Sequence, residues 1–180
     1  MTGSGTSRAR CRDCDVKRLV ALFAGLVVAG CASFSGAGLV PGKSTAAEVE
    51  ALMGAPAQRL RRPNGDSALY FSRLPEGRAV YVVSVGPDGV MKSIEQRLVR
   101  ANLKQLFAGT STMNDVRELF GPPGREGRLE RQARTWWEYK YHDYADRRII
   151  WVQFSDDHLV REVLDVPDPE RDDLCTPSFS

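Results

Sequence analysis

Four cysteines, two histidines and a scatter of carboxylates are what this 180-residue sequence offers for chemistry. Cys11-Arg12-Asp13-Cys14 has the CxxC spacing that brings two thiols to one metal ion or to each other. His142-Asp143 and Asp156-Asp157-His158 set an imidazole beside carboxylates, the makings of a metal site and equally of a strand end and a turn. Cys175 stands alone in an acidic, Pro-containing stretch. No Gly-x-Ser-x-Gly accompanies these residues, and no Gly-rich loop follows a strand to cradle a phosphate. The chain is therefore read as non-enzymatic, with no catalytic residue, metal or cofactor expected.

Hydrophobic content of 42% and charged content of 27% are those of an ordinary globular chain of one or two small domains. The formal net charge of +2 comes from the N-terminal segment, where Arg8, Arg10, Arg12, Lys17 and Arg18 face only Asp13 and Asp15. Residues 31–180 carry 20 bases and 21 acids. Within them, residues 40–107 hold 10 bases and 6 acids, and residues 108–180 hold 10 bases and 15 acids. No basic patch is concentrated enough to track a phosphate backbone, so no nucleic acid partner is expected.

Lys17 and Arg18 precede the apolar run Leu19 to Val28 and the small pair Ala29-Gly30. A basic start, a short apolar stretch and a small-residue exit make a secretory signal. The run is too short for a membrane span, which needs about 20 apolar residues. Val28-Ala29-Gly30-Cys31 resembles the bacterial lipobox, cleaved before a cysteine that then carries acyl chains, palmitate among them. That resemblance implies residues 1–30 as signal peptide, Cys31 as the lipidation site and residues 31–38 as a lipidated, flexible tether. Membrane lipid becomes a partner through Cys31. Ala32 and Ser33 follow, with no Asp, which implies the periplasmic face of the outer membrane. Cys11 and Cys14 would leave with the signal, and Cys175 would lack an intramolecular disulfide partner. Val16 would open a conventional short signal if its codon were GTG and served as the start.

The elements that must position any functional side chain come as one phrase stated twice. PGKSTAAEVEALMGAP (41–56) returns as AGTSTMNDVRELFGPP (108–123). Gly42/Gly109, Thr45/Thr112, Val49/Val116, Leu52/Leu119, Gly54/Gly121 and Pro56/Pro123 all match at an offset of 67. Each copy predicts a short helix with a Thr-initiated capping box, an apolar stripe and a Gly-x-Pro stop. The Arg-rich stretches 57–67 and 124–135 read as solvated connections. A three-strand meander follows each: Ala68–Phe71, Ala79–Val85 and Val90–Ile94, then Thr135–Tyr141, Arg148–Phe154 and Leu159–Val163. Tyr70 aligns with Trp137 at 67, whereas Val83/Val152, Val85/Phe154 and Ile94/Val163 align at 69, placing two extra residues near the second hairpin. The expected organisation is repeat 1 over 39–97, a linker or helix over 98–107, repeat 2 over 108–165 and a flexible acidic tail over 166–180. The expected fold class is α+β, two tandem helix-plus-antiparallel-sheet repeats.

Alternation along the aromatic strand puts Trp137, Tyr139 and Tyr141 on one face and Trp136, Glu138 and Lys140 on the other. The Trp137 face is the expected core, which turns Trp136 toward solvent. Trp151 has opposite parity to Ile150, Val152 and Phe154. Trp136 and Trp151 are therefore the candidate protein-binding residues, since exposed aromatics often anchor interfaces.

Gly42-Lys43-Ser44-Thr45 before a Val49-containing helix, Gly54-Ala55-Pro56, Leu69-Tyr70-Phe71 and Asp88-Gly89-Val90 together resemble the SmpA/OmlA (BamE-like) outer-membrane lipoprotein family. The likeness covers Leu39 to about Arg97 and recurs over Ala108 to about Leu164, without the Gly after Asp157. Tandem copies are also the architecture of the β-lactamase-inhibitor-protein-like fold. The resemblance implies an envelope lipoprotein whose partners are outer-membrane assembly or other envelope proteins. The alternative it implies is a periplasmic inhibitor or modulator of an enzyme, acting through the sheet surface.

Overall fold

Thr45 sets the first helix. Its Oγ1 accepts from Glu48 N at 3.3 Å while Thr45 N donates to Glu48 Oε2 at 2.7 Å, closing a capping box at the start of α1 (Ala46–Met53). The computed structural model describes residues 34–169; the segment read as a signal peptide, Cys11, Cys14, Cys31, Cys175 and the residues beyond Pro169 lie outside them. After α1 come β1 (Gln58–Arg61), β2 (Ser67–Ser72), β3 (Val80–Val85) and β4 (Met91–Gln96), an antiparallel sheet in that order. A single turn, α2 (Arg100–Leu103), leads to α3 (Met113–Phe120). There Thr112 and Asp115 close the same box at 3.2 and 2.7 Å, so the shorter carboxylate suffices. β5 (Arg125–Leu129), β6 (Arg134–Asp143), β7 (Asp146–Phe154) and β8 (Val160–Pro167) form the second antiparallel sheet, again in sequence order.

This architecture overturns the α+β expectation. Two four-stranded sheets dominate the described residues, against helices of 8, 4 and 8 residues, so the fold is mostly β. The stretches read as solvated connections contain β1 and β5. Both are edge strands: Arg59 and Arg61 point outward between half-buried Gln58 and Leu60, and such charges discourage further strand pairing. Nor does each half close its own helix-on-sheet core. The first sheet is buried on both faces. Leu69, Phe71, Val83, Val85 and Met91 pack with Val49 and Met53 of α1. Ala68, Tyr70, Val80 and Val82, on the opposite face, share one core with Val116, Leu119 and Phe120 of α3 and with Trp137, Tyr139, Ile150, Val152 and Phe154 of the second sheet.

Cross-strand register also corrects the alignment of the two halves. Leu69 pairs with Val83 and Trp137 with Val152. The counterpart of Trp137 is therefore Leu69, at an offset of 68, and not Tyr70. One residue is added between helix and second strand and one in the β6–β7 hairpin. A one-residue slip exchanges the faces of a strand. Tyr70 thus corresponds to Glu138, Ala68 to Trp136 and Val82 to Trp151.

The first described residue is also tied down further than expected. Phe34, in the segment read as tether, packs edge-on against Tyr81 with ring centroids 5.7 Å apart, and the Arg73 guanidinium lies 4.2 Å from its centroid. Between the halves, Arg100 donates to Asp143 at 2.8 Å and to Asp165 at 3.0 Å. Asp165 also accepts from Arg148 at 2.6 Å and from the Tyr141 hydroxyl at 2.9 Å. Burial pushes the Asp165 carboxyl up, but these bonds and the Arg148 and Arg100 charges outweigh it and hold it below the usual range. Burial, together with the bond to Asp165, pushes the Tyr141 phenol up to about 12.

The turn before each fourth strand shows what the missing glycine costs. Gly89 (φ +79°) gives its carbonyl to Ala46 N at 2.9 Å, and His158 (φ +63°) gives its own to Met113 N at 2.9 Å. A left-handed backbone strains an L-residue by roughly 1–2 kcal/mol, less for one whose side chain tolerates that region. His158→Gly is expected to stabilise the protein by about 0.5–1 kcal/mol, seen as a rise of roughly 1–4 °C in thermal midpoint.

Candidate interaction surface

The outward face of the second sheet is built by the β6–β7 pair. Glu138 sits opposite Trp151, and Trp136 sits opposite Gln153. Trp136 and Trp151 are therefore diagonal neighbours on one face, the spacing at which aromatic side chains reach each other across strands. Their ring centroids are 6.1 Å apart with planes tilted by 34°. Trp136 sits opposite Gly127 of β5, where a Cβ added to the glycine would come within 2.6 Å of the indole. Gly127 is required there by close approach of the ring.

Polar partners fix the second indole. Trp151 Nε1 donates to Glu138 Oε2 at 2.9 Å, and Arg125 Nη1 lies 3.9 Å from the other carboxylate oxygen. Glu138 is only 7% exposed, so its charge is oriented by these neighbours and its carboxylate is shielded from competing water. Arg134 Nη1 donates to Gln153 Oε1 at 3.0 Å beside Trp136. Trp151 remains 40% exposed, and Trp136 is half-buried. The pair presents a fixed aromatic platform with an indole edge held by a carboxylate.

The corresponding face of the first sheet is buried. Ala68, Tyr70, Val80 and Val82 pack in the shared core, and the Tyr70 hydroxyl donates to the Glu118 carbonyl of α3 at 2.6 Å. The position equivalent to Tyr70 is Glu138, and the one equivalent to Val82 is Trp151. One face thus receives a helix, while its counterpart carries two tryptophans outward.

The structure brings Trp136 and Trp151 together. Their partners Glu138, Arg125 and Gly127 were not singled out from sequence, because cross-strand neighbours depend on register; the alternation that exposes Trp136 does place Glu138 on its face. His142 is exposed at the end of β6, and His158 is exposed in its turn. Among the described residues no group of three or more His, Cys, Asp or Glu side chains could hold a metal ion. No described helix is long and apolar enough to cross a membrane.

Comparison with known proteins adds little. No family model matches the sequence, and no curated protein matches it. Among solved structures, a DUF4309 family protein (YjgB) from Bacillus subtilis subsp. subtilis str. 168 is similar at 20% identity, over 73% of this chain and 84% of that one, with a TM-score of 0.29. At that TM-score the likeness carries no argument about fold or function.

Proposed function

We propose that this chain is a non-enzymatic lipoprotein, held at the periplasmic face of the outer membrane through acylated Cys31, that binds a protein partner with its Trp136/Trp151 face. The lipobox and the SmpA/OmlA resemblance supply the address and point to outer-membrane assembly or other envelope proteins as partners. The observation that carries the binding role is the outward tryptophan pair on a face whose counterpart in the first sheet is buried against a helix. Two indoles fixed by Gly127 and Glu138 would lose little side-chain freedom on binding, and such preorganisation favours affinity.

Affinity capture from solubilised outer membranes tests this reading. Wild-type chain is expected to recover an envelope protein. Trp151→Ala is expected to weaken that interaction by about 2 kcal/mol, roughly thirtyfold in affinity. Recovery unchanged in both Trp151→Ala and Trp136→Ala would remove the tryptophan face from the proposal. Capture of a soluble hydrolase in place of membrane proteins would favour the inhibitor alternative.

A further inference from the structure

The β6–β7 hairpin ends on a side chain that the fold does not use. Asp143 pairs with Asp146, so Tyr144 and Ala145 alone make the connection. Tyr144 is 100% exposed and holds a left-handed backbone, φ +55°. Two-residue connections favour Gly, Asn or Asp at such a position, where a larger side chain strains the backbone. A tyrosine there carries the strain and gains no packing in return. Beside it a groove of about 480 Å³ separates the hairpin from α2, lined by Val99, Ala101, Arg100, Lys104 and His142 among others. Arg100 is bound to Asp143 and Asp165, and Lys104 is exposed. An outward aromatic beside a lysine suits a lipid interface, where the ring sits among headgroups and the ammonium meets phosphate.

The hairpin tip lies at the end of the molecule where the described chain begins. Phe34 packs on Tyr81 and Arg73. Tyr81 pairs with Gln96, beside the Ser72–Val80 end of the β2–β3 pair. That end of the first sheet is joined to the hairpin end of the second. Arg78, in the β2–β3 connection, binds Asp168 just past β8. Arg100, shortly after β4, donates to Asp143 at 2.8 Å and to Asp165 at 3.0 Å.

We infer that this end rests on the periplasmic leaflet of the outer membrane, with the Tyr144 ring at headgroup level and Lys104 against lipid phosphate. The inference rests on the proposed anchor at Cys31, which chain length holds within roughly 11 Å of Phe34. One ring binds a bilayer weakly by itself. Acyl chains on the same molecule make its contact intramolecular and raise its effective concentration. The same orientation leaves the tryptophan face free. Trp151 lies five residues along β7 from Asp146, up to about 17 Å from the hairpin end.

Photocrosslinking in cells that express the full chain tests the inference. Benzoylphenylalanine, whose excited ketone inserts into a neighbouring C–H bond, replaces Tyr144, Phe107 or Ala32 in separate variants. Phe107 is the control at the far end: it is 61% exposed, in a turn whose Ser111 carbonyl accepts from Val160 N at the start of β8. Ala32 adjoins the proposed acyl chains and is the positive control. Peptide mapping by mass spectrometry is expected to find phospholipid adducts at 144 and 32 and none at 107. Lipid adducts at 32 but not at 144 would overturn the inference while the anchor stands. So would equal lipid adducts at 144 and 107, or a protein adduct at 144. Absence of lipid from both 32 and 144 would remove the anchor and the inference together.

Discussion

Replacing Cys31 by Ala is expected to move the protein from the membrane pellet to the soluble fraction. Under the proposed function the acyl chains on Cys31 are the attachment. Each buried methylene contributes about 0.8 kcal/mol, and more than one chain is needed for a stable anchor. Removing the thiol removes every acyl attachment at once, so the shift should approach completeness rather than a partial redistribution. The attachment would also lie close to the folded body. Phe34 packs against Tyr81 and Arg73, leaving three residue steps from Cys31 to a docked side chain. At about 3.3–3.6 Å per residue, those steps span at most roughly 11 Å. The body would then sit against the bilayer surface instead of ranging from it on a long leash. Unchanged fractionation of the Cys31→Ala variant would sink both the anchor and that placement.

How much of this was legible from residues alone depended on whether the signal was local. The capping boxes at Thr45 and Thr112 are written in four consecutive residues, and the chemistry that closes them involves only those residues. The outward parity of Trp136 and Trp151 is also local, since side chains alternate along any strand. The edge strands were not legible. Arg59 and Arg61 on β1, and Arg125 and Arg128 on β5, interrupt the apolar alternation by which strands are recognised, and they do so because an edge must discourage pairing. The two-sided burial of the first sheet was harder still. SALYFS and VYVVSV carry apolar side chains on both faces, a pattern that marks a covered sheet but does not say what covers it. The alignment of Tyr70 with Trp137 then misled by one residue. Both lie in the shared core, yet they reach it from different sheets. Sequence similarity between aromatic residues could not reveal that, because the inserted residue between α3 and β6 leaves no mark beyond the register itself.

That shared core makes a sharper claim on stability than the repeat organisation would. Phe120 is fully buried at the end of α3, with its ring centroid 5.4 Å from that of Tyr139, in the cluster that also holds Tyr70, Val80 and Val82 of the first sheet. Phe120→Ala is expected to cost about 3–5 kcal/mol, the lost transfer of the ring plus the cavity it leaves. Against a typical total of roughly 5–15 kcal/mol, that is a large fraction of what holds a domain folded. Because its surroundings belong to both sheets, the loss should be felt by both. Two self-contained halves would behave otherwise: the second would melt early and the first would persist. Denaturant unfolding separates these outcomes cleanly, since Trp136, Trp137 and Trp151 all lie in the second sheet and their fluorescence reports that sheet alone. Amide exchange at Val82 and Val83 reports the first. Coincident transitions, both shifted to lower denaturant in Phe120→Ala, are expected of one cooperative unit. A first sheet that keeps its wild-type midpoint while the tryptophan signal moves would show that the interface between the sheets is only a contact, and that Tyr70 and its neighbours find their stability in α1 and the opposite face.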